Sequence, residues 1–315
     1  MRVMVLEGPG RFGSADRPWP EVRPHQVLVR TAACGVCASE LDVFLGRNPW
    51  QRYPALLGHE AVGQVTRLGA EVAGWREGDL AAAAIASGGY GEAFAVPASA
   101  ILPVPDGLAP HLALAEPLAC AVNTLAALAP APNDRIVVLG AGFMALLLVQ
   151  LLRGTGPQWL LVAGRRPESR ALAQELGATV ACHTDDAQRR VWELTSGEGA
   201  DVVVEATGSE PMLAIAGSLL RPEGTLGIVG YHQGDGRRVP VHEWNWKALR
   251  LVNCHFRDAE RIVDGARRGL GLAARGAIAL APLVTHRFPL SRLQEAFETA
   301  ARRPPGFVKA VVVPD

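Results

Sequence analysis

Apolar positions along this 315-residue chain follow two rhythms. In the first third they alternate with polar ones in short runs, at 27–31, 61–65 and 92–96, between Gly- and Pro-rich turns. Alternation with period two marks half-buried strands. Residues 1–6 read as a further strand, so this part predicts a compact, irregular β domain. From residue 112 the rhythm changes. Residues 112–128 form a helical pattern rich in Ala and Leu that Pro130 and Pro132 bring to a stop. A buried strand at 135–139 follows, then Gly140 and a long apolar helix, a strand at 159–163 and a helix at 169–176. Strands at 202–204 and 226–229 continue the series, again with helices between. Such alternation with short loops predicts an α/β unit, a doubly wound parallel sheet with helices on both faces. Beyond it come a helix at 260–270, a strand at 283–286, another helix and a last strand at 308–313. The expected organisation is a first domain at 1–120, an inserted α/β unit at 121–257, and a tail at 258–315 that returns to the first domain.

Composition and charge narrow the classes. A chain this long suits two domains of ordinary size, and 49% hydrophobic with 20% charged residues is globular composition. Formal net charge is zero, with no block of one sign longer than a few residues. Nucleic acid and anionic membrane need a concentrated field and are not expected partners. The most apolar run, 143–152, is too short to span a bilayer. No signal-like leader precedes the first strand, so a cytoplasmic location is expected. Five cysteines make no disulfide framework in a chain of this length. Cys120, Cys182 and Cys254 stand singly among apolar or helical neighbours and read as buried thiols. Lys247 and Lys309 are the only lysines, which leaves Schiff-base chemistry few candidates.

The strand at 135–139 runs into Gly140-Ala141-Gly142-Phe143-Met144-Ala145, a Gly-x-Gly-x-x-Ala pattern that opens a helix. Gly140 permits a tight turn, Gly142 lets a pyrophosphate approach the backbone, and Ala145 lets helix and strand pack closely. The helix N-terminus offers free N–H groups and a positive dipole end to phosphate. Such a pattern alone also fits a plain strand–turn–helix; its place between strand and amphipathic helix points to a dinucleotide. The next strand ends in Gly164-Arg165-Arg166, where an NAD site usually carries an acid for the ribose 2′-hydroxyl. Arginines there can grip a 2′-phosphate, so NADP(H) is expected over NAD(H), against the alternative that both merely cap a solvated helix start. Thr207 and Gly230, after later strands, join the candidate nucleotide contacts.

Three stretches carry further chemistry: Cys34-Gly35-Val36-Cys37-Ala38-Ser39-Glu40, Gly58-His59-Glu60-Ala61-Val62-Gly63, and Glu116-Pro117-Leu118. Cys34 and Cys37 could be a redox pair or half a structural zinc site, although no second Cys-x-x-Cys exists. His59 alone would read as a satisfied core histidine, and Glu116 alone as an acid on a helix dipole. In their order and separation, with Gly69 and the dinucleotide pattern downstream, these motifs resemble the zinc-containing medium-chain dehydrogenase/reductase family, in particular its polyol (sorbitol-like) branch. The resemblance covers nearly the whole chain. It implies a GroES-like irregular β-barrel catalytic domain, a Rossmann coenzyme domain, and a catalytic zinc held by Cys37, His59 and Glu116, with Glu60 beside it, one of the two glutamates binding directly and the other through water. It also implies that Ser39 bonds the reacting oxygen and passes its proton on. Asp42 stands where many relatives carry a relay histidine, and Glu40 replaces an aspartate that supports the ligating histidine. Many relatives add a four-cysteine lobe for a structural zinc; here Leu80 runs through alanines into Gly88-Gly89-Tyr90-Gly91, so one zinc per chain is expected.

A thiolate, an imidazole and a carboxylate hold zinc with one position open for a substrate oxygen. The expected activity is hydride transfer between NADP(H) or NAD(H) and a secondary alcohol, polyol or ketone, with a small-molecule substrate and a homo-oligomeric assembly. Trp50, Tyr53, Tyr90, Phe94 and 244–246 are candidate pocket walls. Two other classes compete: a zinc-free quinone or enoyl reductase, against which the ligand set argues, and a non-catalytic NADP-binding protein.

Overall fold

The structure, a computed structural model, describes residues 1–315. A hairpin joins β1 (Arg2–Gly8) to β2 (Arg11–Asp16). Then come β3 (Gln26–Gly35), α1 (Ala38–Phe44), β4 (Glu60–Leu68), β5 (Leu80–Ala83), β6 (Ala93–Pro97) and β7 (Ile101–Pro103). The run read at 27–31 is the start of a longer strand. β3 pairs on its two edges with β4, β6 and a C-terminal strand, so its outward positions are covered as well and strict alternation fades. After a 3₁₀ turn at Pro110–Leu112, α2 (Ala115–Leu128) begins three residues later than the apolar pattern suggested, which puts Glu116 in its first turn. Pro110–Leu128 is long and apolar enough to cross a membrane by composition, yet 61% of its most apolar window is buried within the protein, as in a core helix.

The next elements alternate: β8 (Arg135–Leu139), α3 (Phe143–Arg153), β9 (Trp159–Ala163), α4 (Pro167–Glu175), β10 (Val180–Cys182), α5 (Ala187–Thr195), β11 (Ala200–Glu205), α6 (Glu210–Ala216), β12 (Leu220–Ile228), α7 (Val241–Trp246) and β13 (Arg250–Asn253). All pairings in this sheet are parallel, in the order β10-β9-β8-β11-β12-β13. That is the doubly wound order, with the strand sequence reversing between β8 and β11. Residues 136–139 and 160–163 are fully buried, as continuous apolar runs in a sheet covered on both faces must be. This unit comprises Ala121–Phe256 with Ala277–Ala279.

The tail carries α8 (Ala259–Ala274), β14 (Val284–Pro289), α9 (Leu293–Arg302) and β15 (Lys309–Val313). β15 pairs antiparallel with β3, Val312 opposite Cys34, and completes a sheet ordered β14-β15-β3-β4-β5-β7. The other unit is therefore built of Met1–Cys120, Arg257–Gly276 and Leu280–Asp315. Its core packs Leu6, Val27, Val29, Phe44 and Phe94 against Phe297 of α9.

Candidate functional site

The first cluster follows from strand register. Gly35 at the end of β3 stands opposite Glu60 at the start of β4. Cys37 is the extended residue before α1, at φ −88° and ψ 147°, and its side chain makes no capping bond. The β3–β4 pairing thus brings Cys37 to His59 and Glu60, whose ligand atoms and the Cys37 thiol lie within 4.8 Å of one another. Glu116 stands outside that trio, its Oε2 3.9 Å from His59 Nε2. Ser39 Oγ donates to Cys37 Sγ at 3.3 Å. Asp42 stays out of the cluster and pairs with Arg47 at 3.1 Å.

A buried scaffold fixes these donors. Glu40 Oε1 accepts the Gly58 N–H at 2.6 Å and lies 2.8 Å from His59 Nδ1. With Nδ1–H committed to the carboxylate, Nε2 presents its lone pair to the cluster, a tautomer assigned from the network. The Tyr90 hydroxyl lies 2.8 Å from both Glu40 Oε2 and the Gly35 carbonyl, either of which can take its proton. Gly58 has φ +101°, and a Cβ there would stand 2.5 Å from the Tyr90 nitrogen, so only glycine lets this turn close. On the other side, Lys309 Nζ lies 2.7 and 2.6 Å from the two oxygens of Glu60, with the lysine only 4% exposed.

Burial alone would push His59 down, but Glu40 and Cys37 hold it well above the ordinary imidazole value. Burial, with Glu60 adding to it, pushes Glu116 up against the pull of His59. Glu40 stays below the usual range because His59, Gly58 and Tyr90 outweigh its burial. A field that draws protons this strongly draws a cation equally. The donor set of thiol, imidazole and carboxylate, with an oriented second ring nitrogen, fits zinc.

Sequence reasoning missed three of these roles. Lys309 carried no motif; its signal was a lone lysine opening the apolar run Ala310-Val311-Val312-Val313. Tyr90 was read as a pocket wall, yet it is buried in the core and braces Glu40. Cys120 was read as a plain thiol, but it is one helical turn from Glu116 and donates to its Oε1 at 3.3 Å. The other proposed walls divide: Phe94 and Trp244 are core residues, whereas Trp50 and Trp246 are 78% and 87% exposed.

The second unit supplies the turn after β8. Gly140 has φ +116°, and a Cβ there would meet Thr207 Cγ2 at 3.1 Å. Gly142 caps α3, and a Cβ there would meet nothing within 4 Å, which leaves open space over the helix N-terminus. Phe143 and Met144 open the helix, and Ala145 is buried against the sheet. This is the cradle a pyrophosphate needs. Gly164 has a steric reason as well: a Cβ would lie 2.7 Å from Ala141 Cβ, so no acid fits at that position. Arg170, which the sequence did not flag, holds the turn by donating to the carbonyls of Gly164 and Arg165 at 2.9 and 2.8 Å. Arg165 is exposed, and Arg166 caps α4 and reaches Glu168 only at 3.9 Å.

Residues 23–106 match the alcohol dehydrogenase GroES-like domain, and residues 144–266 match the zinc-binding dehydrogenase domain. The chain is 27% identical to L-galactonate-5-dehydrogenase of Escherichia coli, over 99% of this chain and 98% of that protein. It is 31% identical to an uncharacterised zinc-type alcohol dehydrogenase-like protein of Haemophilus influenzae, over 66% of this chain and 70% of that one. Among solved structures, a zinc-binding dehydrogenase of Sinorhizobium meliloti bound to NADP superposes with a TM-score of 0.87 at 26% identity, over 99% of each chain.

Proposed function

Since the chain belongs to the zinc-containing medium-chain dehydrogenase family, we propose that it interconverts a secondary hydroxyl of a polyol or sugar-derived alcohol and the ketone, with NADP(H) as hydride partner. The observation that carries this is the meeting of the Cys37, His59 and Glu60 ligand atoms within 4.8 Å. Cys37 and His59 would hold the zinc together with a carboxylate from Glu60 or Glu116, Glu60 being the one paired with Lys309. Bound there, zinc supplies Lewis-acid polarisation of the substrate oxygen, and the nicotinamide supplies the hydride chemistry. The residues of the chain do the rest. Glu40 and Tyr90 keep the His59 ring oriented. Ser39, beside the Cys37 sulfur, would relay the substrate hydroxyl proton, accepting it as its own O–H proton passes to water. Asp42, paired with Arg47 and outside the cluster, is a poor acceptor for that proton, so water bypasses it.

Gly140, Gly142, Phe143, Met144 and Ala145 would take the pyrophosphate, and Arg165 and Arg166, with the acid-free Gly164, the 2′-phosphate. The NADP carried by the Sinorhizobium meliloti structure and the L-galactonate named for the Escherichia coli relative support this choice of cofactor and substrate class. A homo-oligomer belongs to the same reading, supported by exposed Val241 and Trp246 on α7 and Leu251 on the edge strand β13.

The test is turnover of polyols, sugar acids and simple secondary alcohols with NADP⁺ or NAD⁺, on protein of known metal content. About one zinc per chain is expected, with turnover that prefers NADP⁺ and disappears when zinc is stripped. Turnover by zinc-free protein would overturn the metal assignment and favour a zinc-free reductase. Two zincs per chain would overturn the single-site assignment.

A further inference from the structure

A buried acid in the α/β unit takes no part in that chemistry. Glu205, the last residue of β11, is 0% exposed. Burial pushes its carboxyl up, but hydrogen bonds from His232 and Thr207 outweigh this and hold it below the ordinary range. Its Oε1 accepts the N–H groups of Thr207 at 2.6 Å and Gly208 at 3.0 Å, together with the Thr207 hydroxyl. Its Oε2 lies 2.9 Å from His232 Nε2. On the far side of the ring, Arg237 Nε donates to His232 Nδ1 at 3.3 Å. A guanidinium can only donate, so Nδ1 is an acceptor and the imidazole proton sits on Nε2, aimed at the carboxylate. The other Arg237 nitrogens hold the carbonyls of Asp235, at 2.6 Å, and Gln233. Gly230 makes the close approach possible, since a Cβ there would stand 2.2 Å from the Gly208 nitrogen and 2.4 Å from Glu205 Oε2.

These groups lie just beyond the carboxyl ends of β11 and β12, adjacent strands on the side of the switch point away from Gly164. In a sheet of this order each half receives one half of a dinucleotide. The β8–β9 half carries the turn and arginines assigned to the adenosine phosphates, which leaves the β11–β12 half for the nicotinamide nucleotide. Resting on that NADP-binding reading, we propose that Glu205, His232 and Arg237 form a latch that clamps the loop after β12 onto the loop after β11 and so presets the rim for the nicotinamide half of the cofactor. They act through the two loops and are positioning residues. The strand ladder does not need them, because Val229 and Gly230 already donate their N–H groups to the Glu205 carbonyl.

The test compares NADPH with 2′,5′-ADP, which carries only the adenosine half, by calorimetric titration of the whole protein. In Glu205→Gln and His232→Ala, NADPH affinity falls roughly ten- to hundredfold, the worth of a buried hydrogen bond to a charge, while 2′,5′-ADP binds as before. His232→Gln, whose longer amide can place an N–H where Nε2 stood and still donate to Glu205, recovers most of the loss. Arg237→Met, which removes only the outer clamp at a half-buried position, shows a smaller loss of the same kind. Equal weakening of both ligands, or undiminished NADPH affinity, overturns the latch. A wild-type protein that binds no nicotinamide nucleotide overturns instead the dinucleotide reading beneath it.

Discussion

In the first unit the site is built of side chains gathered from the whole chain: Cys37, His59, Glu60, Glu116, and a lysine 249 residues from the carboxylate it holds. In the second, the candidate nucleotide turn is built of backbone over residues 140–145, and its essential feature is the absence of Cβ atoms at Gly140 and Gly142. The first kind of site concentrates charge and fails when one charge is removed. The second has little charge of its own and fails when an atom is added. The two should therefore break independently, each to its own kind of substitution.

The strongest test of that independence removes a ligand. Cys37→Ser or His59→Ala should abolish zinc retention and lower turnover by about a thousandfold or more, since Lewis-acid stabilisation of a developing alkoxide is worth several kcal/mol. NADPH affinity, measured on the same preparations, should stay within about twofold, since the latch and turn contain neither residue. A parallel collapse of nucleotide binding would show that the two sites share one fold-wide support.

Lys309→Met should come next in size. It leaves the Glu60 carboxylate buried without its partner, and breaking a buried pair costs about 3–5 kcal/mol. Denaturant unfolding should register that loss, and the double variant Lys309→Met with Glu60→Gln should recover most of it. A double variant no more stable than the single would mean that the lysine serves packing rather than charge.

Gly140→Ala is the mirror experiment. A side chain forced to φ +116° costs about 1–3 kcal/mol, and the added methyl meets Thr207 Cγ2 at 3.1 Å. NADPH affinity should drop by roughly tenfold or more, with zinc content unchanged. Loss of zinc together with the nucleotide would end the claim of separate construction.

The same contrast explains what could be read from the sequence. β8 and β9 coincide with the expected strands because each is an unbroken apolar run ended by a glycine, a signal complete within a few residues. β12 begins well before the expected 226, because Glu223 at φ +61° and a register shift against β11 break its pattern. The candidate metal-ligand residues were visible through their types and motif order. Their supports were not: Tyr90 reaches Glu40 across fifty residues, and Lys309 reaches Glu60 only because β15 pairs with β3. Glu205 and His232 escaped for the same reason, since the bond between them depends on the parallel register of β11 and β12.

The smallest effect concerns a charge cluster with no catalytic task, and it sets the scale for the others. Asp201 in β11 accepts the N–H and Nε–H of Arg135 from β8 at 2.7 and 2.9 Å, and Arg221 Nε from β12 at 2.6 Å. Burial raises its carboxyl, but the two arginines prevail and hold it at about 2. A carboxyl depressed on folding stabilises the protein above its unfolded value, near 3.9. That stabilisation fades as the pH falls through about 2. Arg221 in particular stands partly in water, so screening trims the effect to roughly 1 kcal/mol. Asp201→Asn should therefore be less stable than wild type by that amount at neutral pH, with about half the difference gone near pH 3. Zinc lost in acid leaves both proteins alike and cancels from the comparison. A difference that persists unchanged into acid would mean that Asp201 ties the three strands through hydrogen bonds that the amide keeps only in part, rather than through its charge.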